Sequence, residues 1–214
     1  NNTTVFAAAR GGHVRELGYS SAVLGYLTGD LSIRAAHLFD GYTIKDMAYS
    51  KAPIPIVWCV SSSGKLLGVT YVPEEKVSAW FQCTTTNGTF ESVVSVPEGD
   101  EDAVYVAVKR GDKRYIERLA SIYRGGTENL SNAFFVDSGV TYEGPFTTTI
   151  TALSHLEGMP VAYLADGLPG TGTVSGGTLT LPELAQKVSV GLPFTSQKKT
   201  HPMTMLNVEA FGTG

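Results

Sequence analysis

The stretch VWCVSSSGKLLGVTY, residues 57–71, is an apolar run, a Gly-bearing turn and a second apolar run ending in Tyr71. Short β-rich runs on either side of such a turn read as a β-hairpin. Nearly the same pattern stands earlier as VFAAARGGHVRELGY, residues 5–19, and later as VYVAVKRGDKRYIERL, residues 104–119, where Arg110, Gly111 and Asp112 occupy the turn. Three copies of one pattern mark a repeat protein, a reading that precedes all other fold reasoning.

The two best copies stay in step beyond the hairpin. After Tyr71 and the polar link PEEK comes VSAWFQCTTTNG (77–88), matched by LSIRAAHLFDGY (31–42) after a longer link that includes VLGYLTGD. Then TFESVVSVPEG (89–99) matches TIKDMAYSKAP (43–53). Each copy therefore reads as four strands, and Val57 to Val104 is a period in the forties. That combination predicts the blades of a β-propeller. The unbroken apolar run Val57, Trp58, Cys59, Val60 predicts a strand buried on both faces near the axis. In FESVVSV, strict alternation predicts Phe90, Ser92, Val94 and Val96 on one side and Glu91, Val93 and Ser95 on the other. Two blades and the start of a third are too few to close a ring, since propellers have about four to eight blades. The expectation is a segment of a longer polypeptide, or a ring completed by other chains.

Composition supports a packed, strand-rich chain. Of 214 residues, 43% are hydrophobic, enough for a core, and 24 Gly and 10 Pro favour short strands and tight turns. Only 17% are charged and the net charge is −4, which argues against a broad basic face for nucleic acid. No apolar run reaches the ~18 residues of a membrane span, so no membrane anchor is expected. The opening NNTTVFAAARGG lacks the layout of a signal peptide, so the start is expected to be mature sequence or a cut made in a longer chain.

After about residue 124 the period is lost. Residues 1–124 read as blades, about two and a half repeats, and 125–214 as a small β-barrel-like domain built from TTTITAL, PVAYLAD, TVSGG, TLTLP and KVSVGLPF. The alternative is that this second segment is an insertion that completes the third blade. The fold class expected is all-β: a partial β-propeller of four-stranded antiparallel blades with a small β-barrel-like domain.

The segments FESVVSVPEGDEDAVYVAVKR, GKLLGVTYVPEEKVSAW, RYIERLAS, VDSGVTYEG and HLEGMPVAYLADG leading to VSVGLPF together resemble a family of structural proteins of tailed bacteriophages. It is the tail nozzle, or tail tubular protein B, family of short-tailed phages, with the related head and tail stabilisation proteins of prophages. The likeness runs from about Val5 to Pro202. It implies a non-enzymatic virion component, assembled in the bacterial host cytoplasm, that forms a homo-oligomeric ring, a hexamer, below the portal and adaptor. Viral DNA would pass transiently through the lumen, and tail fibres or a tip would attach nearby. Family members are much longer than this chain and carry further blades, in keeping with an unclosed ring.

Candidate chemistry is weighed against that structural role. Cys59 and Cys83 fall two strands apart in one blade, roughly 10 Å, beyond the ~7 Å reach of a disulfide, so free buried thiols are expected. The acidic run GDED, Gly99 to Asp102, lacks the alternating ligands of a calcium loop and reads as a solvated loop between blades. Across one strand pair, basic partners such as Lys109 or Arg118 are the expectation for Glu91 and Glu117. GTGTVSGG, residues 170–177, fails as a phosphate loop because Ser175 stands at the third glycine position and no helix follows; it predicts a hairpin turn. His13, His37, His155 and His201 show no metal-ligand spacing. No G-x-S-x-G elbow is present. Asp166 in LADG and Glu143 in TYEG invite a glycosidase pair but are ordinary turn formers. No catalytic, cofactor-binding or metal-binding residue is assigned, and no cofactor is expected.

Arg10, Arg15, Lys109, Arg110, Lys113 and Arg114 lie at corresponding hairpin turns and would line one rim of a ring or simply aid solubility. A conduit benefits from weak phosphate contacts, which suits slight overall acidity. The competing function is a propeller that binds or depolymerises a host surface polysaccharide through exposed aromatics such as Trp80, Phe81 and Tyr142.

Overall fold

A computed structural model describes residues 3–198, apart from 11, 76 and 127. The described residues form four antiparallel sheets. The first is a meander of β1 (Thr3–Ala7), β2 (Val14–Ser20) and β3 (Gly25–Asp30). The second runs in order through β4 (Ile44–Ser50), β5 (Ile56–Ser61), β6 (Leu66–Val72) and β7 (Val77–Cys83). The third holds β8 (Thr89–Glu98), β9 (Glu101–Arg110) and β10 (Lys113–Arg118). The fourth comprises β11 (Asp137–Ile150), β12 (Pro160–Ala165), β13 (Leu168–Thr173) and β14 (Leu179–Leu192), ordered β11-β14-β12-β13. No helix among the described residues is long and apolar enough to cross a membrane.

The second sheet lies between the first and the third, and its sequence shows why. Side chains alternate across a strand. Val57 and Cys59 of β5 join Leu67, Val69 and Tyr71 of β6 in a core with Val14, Ala35 and Phe39 on the side of the first sheet. Trp58, Val60 and Leu66 pack the other way, against Phe90, Val93, Val104, Val106 and Val108 of the third sheet. The run 57–60 is apolar throughout because both of its faces are covered, as its composition predicts. Gly68 makes room on the second side: the Phe81 ring of the neighbouring strand lies over it, in the space that a β-carbon would fill.

The three recurring segments are all hairpins, but β1–β2 is the first and second strand of its sheet among the described residues, whereas β5–β6 and β9–β10 are the second and third of theirs. The grouping of the outer strands differs from the aligned copies. TIKDMAYS pairs with the hairpin that follows it, as β4 on β5, and TFESVVSVPE likewise pairs as β8 on β9. Each opens a sheet and does not close the previous one. Val57 and Val104 therefore sit in second strands, and Val5 sits in the matching hairpin of a meander with no described strand before it. Residues 31–42 are not a strand. Ile33–Leu38 turn as a short 3-10 segment, and the link VLGYLTGD contains β3, paired with β2.

A shared irregularity ties β4 to β8. Register slips between Ile44 and Asp46 in the one, and between Phe90 and Ser92 in the other, at the same place in the aligned repeat. Each slip is a β-bulge, which inserts one residue and reverses the alternation beyond it. Hence Phe90 and Val93 both face the core while Val94 and Val96 are exposed, against the strict alternation expected for FESVVSV. The GDED run likewise differs: Gly99 and Asp100 are the two-residue turn of the β8–β9 hairpin, inside one sheet, and Glu101 and Asp102 begin β9.

The fourth sheet has a core of its own, built on Ile150, Leu153, Leu156, Val161, Val174, Leu179, Leu181, Val188 and Val190. It is open and not barrel-like, with β11 and β13 at its two edges. TLTLP and KVSVGL are two ends of the single strand β14, and TVSGG ends β13 and turns, with only an isolated bridge from Ser175 to Thr178. Two-residue Asp-Gly loops with positive φ are typical of tight hairpins. Asp166 (φ 47) and Gly167 (φ 91) form one between β12 and β13.

Candidate assembly surface

The groups that invited chemistry are engaged in holding the sheets together. Cys59 and Cys83 are free thiols. They lie two strands apart and pack into different cores, so no bridge joins them. Burial pushes the Cys59 thiol up to about 12, and burial together with the Asp137 charge raises Cys83. Asp102 of the acidic run accepts from the backbone N–H of Lys51 (2.6 Å) and Ala52 (3.0 Å), linking the third sheet to the end of β4. Glu101 takes Arg118 (2.6 Å) and Ser121. Glu91 pairs with Arg114 (2.6 Å) and Glu117 with Arg110 (2.9 Å), partners other than those the sequence suggested. Asp46, at the β4 bulge, accepts from Ser92 Oγ (2.7 Å) and Val93 N (3.0 Å) at the β8 bulge.

The glycine run 170–177 ends in a backbone anion cradle that the protein fills itself. Gly176 N and Gly177 N donate to the two carboxylate oxygens of Glu157 at 2.9 and 2.6 Å. Asp166 accepts from the N–H groups of Gln186 and Lys187, and Glu143 pairs with Lys187 Nζ (3.0 Å), so these two carboxylates serve separate structural contacts. His155 Nε2 bonds to the Ser138 carbonyl at 2.8 Å, His37 is exposed, and His201 lies outside the described residues.

His13 sits in a cluster that spacing does not reveal. Its Nδ1 lies 2.9 Å from Ser32 Oγ and 3.2 Å from Asp30, and its Nε2 lies 3.5 Å from Asp40. Ser, His and Asp are the members of a nucleophilic triad, yet their roles are wrong here. Ser32 is fully buried, out of reach of a substrate, and its hydroxyl donates to Asp30 (2.7 Å), so the ring does not activate it, although Asp40 stands on the opposite ring nitrogen. The cluster pins the 3-10 segment to β2 and β3. Among the described residues, no group of three or more His, Cys, Asp or Glu is placed to hold a metal ion.

The aromatics expected to be exposed are mostly committed. Trp80 stacks edge-on against Phe39 (4.7 Å between ring centres) and donates Nε1 to the Leu31 carbonyl (2.7 Å). Phe81 packs edge-on against Trp58 (5.5 Å). Tyr142 packs on the fourth core and donates to the Pro145 carbonyl. Nor do the basic residues form a continuous free rim. Arg110 is held by Glu117, Asp137 and the Thr86 carbonyl, Arg114 by Glu91, and Arg15 reaches Thr28, while Arg10, Lys109 and Lys113 are exposed.

What remains uncovered are the two ends of the stack. The outward face of the first sheet carries Phe6, Leu17, Tyr19 and Tyr26 by its register; Tyr19 and Tyr26 are 59% and 72% exposed with rings 5.6 Å apart. The outward face of the third carries Val94, Val96 and Ile116, the last 75% exposed, between the Arg114–Glu91 and Arg118–Glu101 ion pairs. Contiguous apolar surface rimmed by polar groups is the form taken by interaction sites. A cleft of about 790 Å³ runs beside β1, lined by Thr3, Val5, Met47, Tyr49 and Val57. Neither end face is legible in the sequence as a specific surface, because which side of β2 or β10 is covered depends on the neighbouring sheet.

No protein-family model matches this chain, and none of the curated proteins matches it.

Proposed function

We propose that this chain is a non-enzymatic structural module of a bacteriophage tail, part of a nozzle-like ring through which DNA passes. Its first three sheets act as successive blades of a propeller, and its role is to build a wall and to contribute to tail assembly. The observation that carries this reading is the stack of three sheets whose two end faces leave apolar side chains, Tyr19 and Tyr26 on one and Val94, Val96 and Ile116 on the other, uncovered. A blade of three or four strands has two apolar faces and must stack on neighbours to bury them. Further blades of a longer chain, or other copies, supply those neighbours, and the ring belongs in the virion beside the portal, adaptor and tail fibre or tip proteins. The ionic and hydrogen-bonding groups are spent on lacing sheets together, which suits a scaffold.

The test is to express the longest reading frame containing these residues and to measure its mass by native mass spectrometry and its shape by electron microscopy. Rings are expected, and Y19K/Y26K is expected to weaken them. A compact monomer with the same spectrum and mass in both forms overturns the assembly reading. Tight, strongly salt-dependent duplex DNA binding overturns the slippery-conduit reading, since such dependence reports many phosphate contacts. Release of reducing ends from host capsule or lipopolysaccharide overturns the non-enzymatic reading in favour of the polysaccharide one.

A further inference from the structure

Lys187 of β14 brings an amine against a side-chain amide and a carboxylate at once. Its Nζ donates to Asn132 Oδ1 at 2.8 Å and lies 3.0 Å from Glu143 Oε2. Each of the three residues is held in place by its own element. Glu143 stands directly opposite Lys187 in the β11–β14 register. The Lys187 backbone is clamped by Asp166, whose carboxylate accepts from Lys187 N (2.8 Å) and whose own N–H donates to the Lys187 carbonyl (2.8 Å). Asn132 closes the 3-10 turn Leu130–Asn132, in which Asn129 Oδ1 accepts from Ser131 N (3.0 Å) and Asn132 N donates to the Asn129 carbonyl (2.9 Å). The Lys187 side chain is 25% exposed, and Ser189, on the same face of β14, is buried. The amide carbon of Asn132 is one carbonyl bond beyond Oδ1, hence at most ~4 Å from the amine. Among the described residues Lys65 also donates to an amide, that of Gln82, but no carboxylate pairs with it.

We propose that Lys187 and Asn132 join in an intramolecular isopeptide bond, with Glu143 carrying the proton. The Lys187 ammonium gives one proton to Glu143, and its freed lone pair attacks Asn132 Cγ. The Nζ–Cγ bond forms and the Cγ–Nδ2 bond breaks; Nδ2 leaves with the proton shed by Nζ and the one held by Glu143. The balance is one amide exchanged for another and one ammonium released, with Glu143 again a carboxylate. No oxidant, cofactor or water is consumed. A carboxylate on the attacking amine is the general base that such a step requires, and the fixed contact replaces a bimolecular encounter. Glu143 is 71% exposed, so the pair reacts from a solvated state. An ammonium has no lone pair to attack with, so the bond forms slowly, and faster as pH rises. The product ties residues 55 apart in the chain and staples the segment leading into β11 to the fourth sheet. The proposal rests on this geometry and not on the tail reading.

The purified chain is to be incubated at pH ~7 and pH ~9 and followed by intact-mass spectrometry. The expected product is lighter by one ammonia, about 17 Da, and accumulates faster at the higher pH. Trypsin then fails to cut after Lys187, so that the peptide 125–187 gives way to 125–198, and a further cut after Glu143 or Glu157 leaves two peptides still joined. Lys187→Arg, which keeps the charge, and Asn132→Ala should show no product. Glu143→Gln should form it at least ~10-fold more slowly. Each variant is to be matched to the parent by circular dichroism, so that a lost bond does not report a lost fold. The pair Asn87–Gly88 can lose the same mass by closing a cyclic imide between Gly88 N and Asn87 Cγ. That product persists in Lys187→Arg and leaves the cut after Lys187 intact. No loss of ammonia at pH ~9, or a loss that is equal in Lys187→Arg, overturns the proposal. Equal rates in Glu143→Gln and the parent overturn the role of Glu143.

Discussion

Asp46 accepts hydrogen bonds from Ser92 Oγ and Val93 N on the next sheet while also capping Met47 N in its own strand. Burial alone would raise its pKa, but the bonds from Val93, Ser92 and Met47 outweigh that and hold it below the usual carboxylate range. Asp102 is lowered by the Ala52 and Lys51 amides, and Asp30 by Ser32 and His13 against its burial. For a group whose folded pKa is depressed, stability is present above the unfolded value of about 3.9 and is lost as pH falls through the folded one. Stability is therefore expected to be flat at neutral pH and to fall below pH ~4, as melting temperature against pH will show. Asp46→Ala should cost about 1–2 kcal/mol in urea unfolding at pH 7 and make the acid loss shallower. Cys59, with its thiol pushed up to about 12 and fully buried, should remain unmodified by thiol reagents at neutral pH until the chain unfolds.

At the scale of the element, the hairpin β6–β7 depends on a residue with no side chain. The Phe81 ring covers Gly68 directly across the strand pair, and Tyr163 covers Gly170 in the same way within the fourth sheet. A β-carbon at either position meets a packed ring, so Gly68→Val should destabilise by about 1–3 kcal/mol. Gly68→Val with Phe81→Ala should recover part of that loss, a coupling that a double-mutant cycle in urea will measure. The bulges of β4 and β8 make a second demand. Removing Glu91 restores strict alternation in β8 and turns either Phe90 or Val93 out of the core. Loss of the cooperative unfolding transition is the expected outcome.

On the scale of the whole molecule, the first three sheets share continuous cores and the fourth closes on its own. The connection between them, residues 119–136, contains no strand among its described residues and holds Gly125 and Gly126 with φ of 69 each. The contact across the junction is polar, with Asp137 accepting from Thr85 (2.6 Å) and Arg110 (3.5 Å) and Glu117 from Ser138. Limited trypsin digestion is expected to cut after the exposed Arg124 ahead of the arginines and lysines within the strands, as intact-mass analysis of the early products will show. Arg110→Ala should speed that cleavage, since it frees Asp137 and Glu117 from their shared partner.

The hairpins at 5–19, 57–71 and 104–119 and their period were legible in the chain because alternation and turn residues are local properties. So was the double-sided burial of Val57 to Val60, since only a strand covered on both faces is apolar at every position. Free Cys59 and Cys83 followed from strand count alone. What the chain could not declare was the sheet to which TIKDMAYS and TFESVVSVPE belong: a strand offers hydrogen bonds along both edges, and local sequence does not label the edge that is used. That choice was made by tertiary contacts, with matching bulges and the Asp46 carboxylate joining β4 to β8. The burial of Trp80 and Phe81, the 3-10 turn at Ile33–Leu38 and the single long β14 were decided in the same way. In each case the deciding partner lies on another sheet or across a bend, where no periodicity along the chain records it.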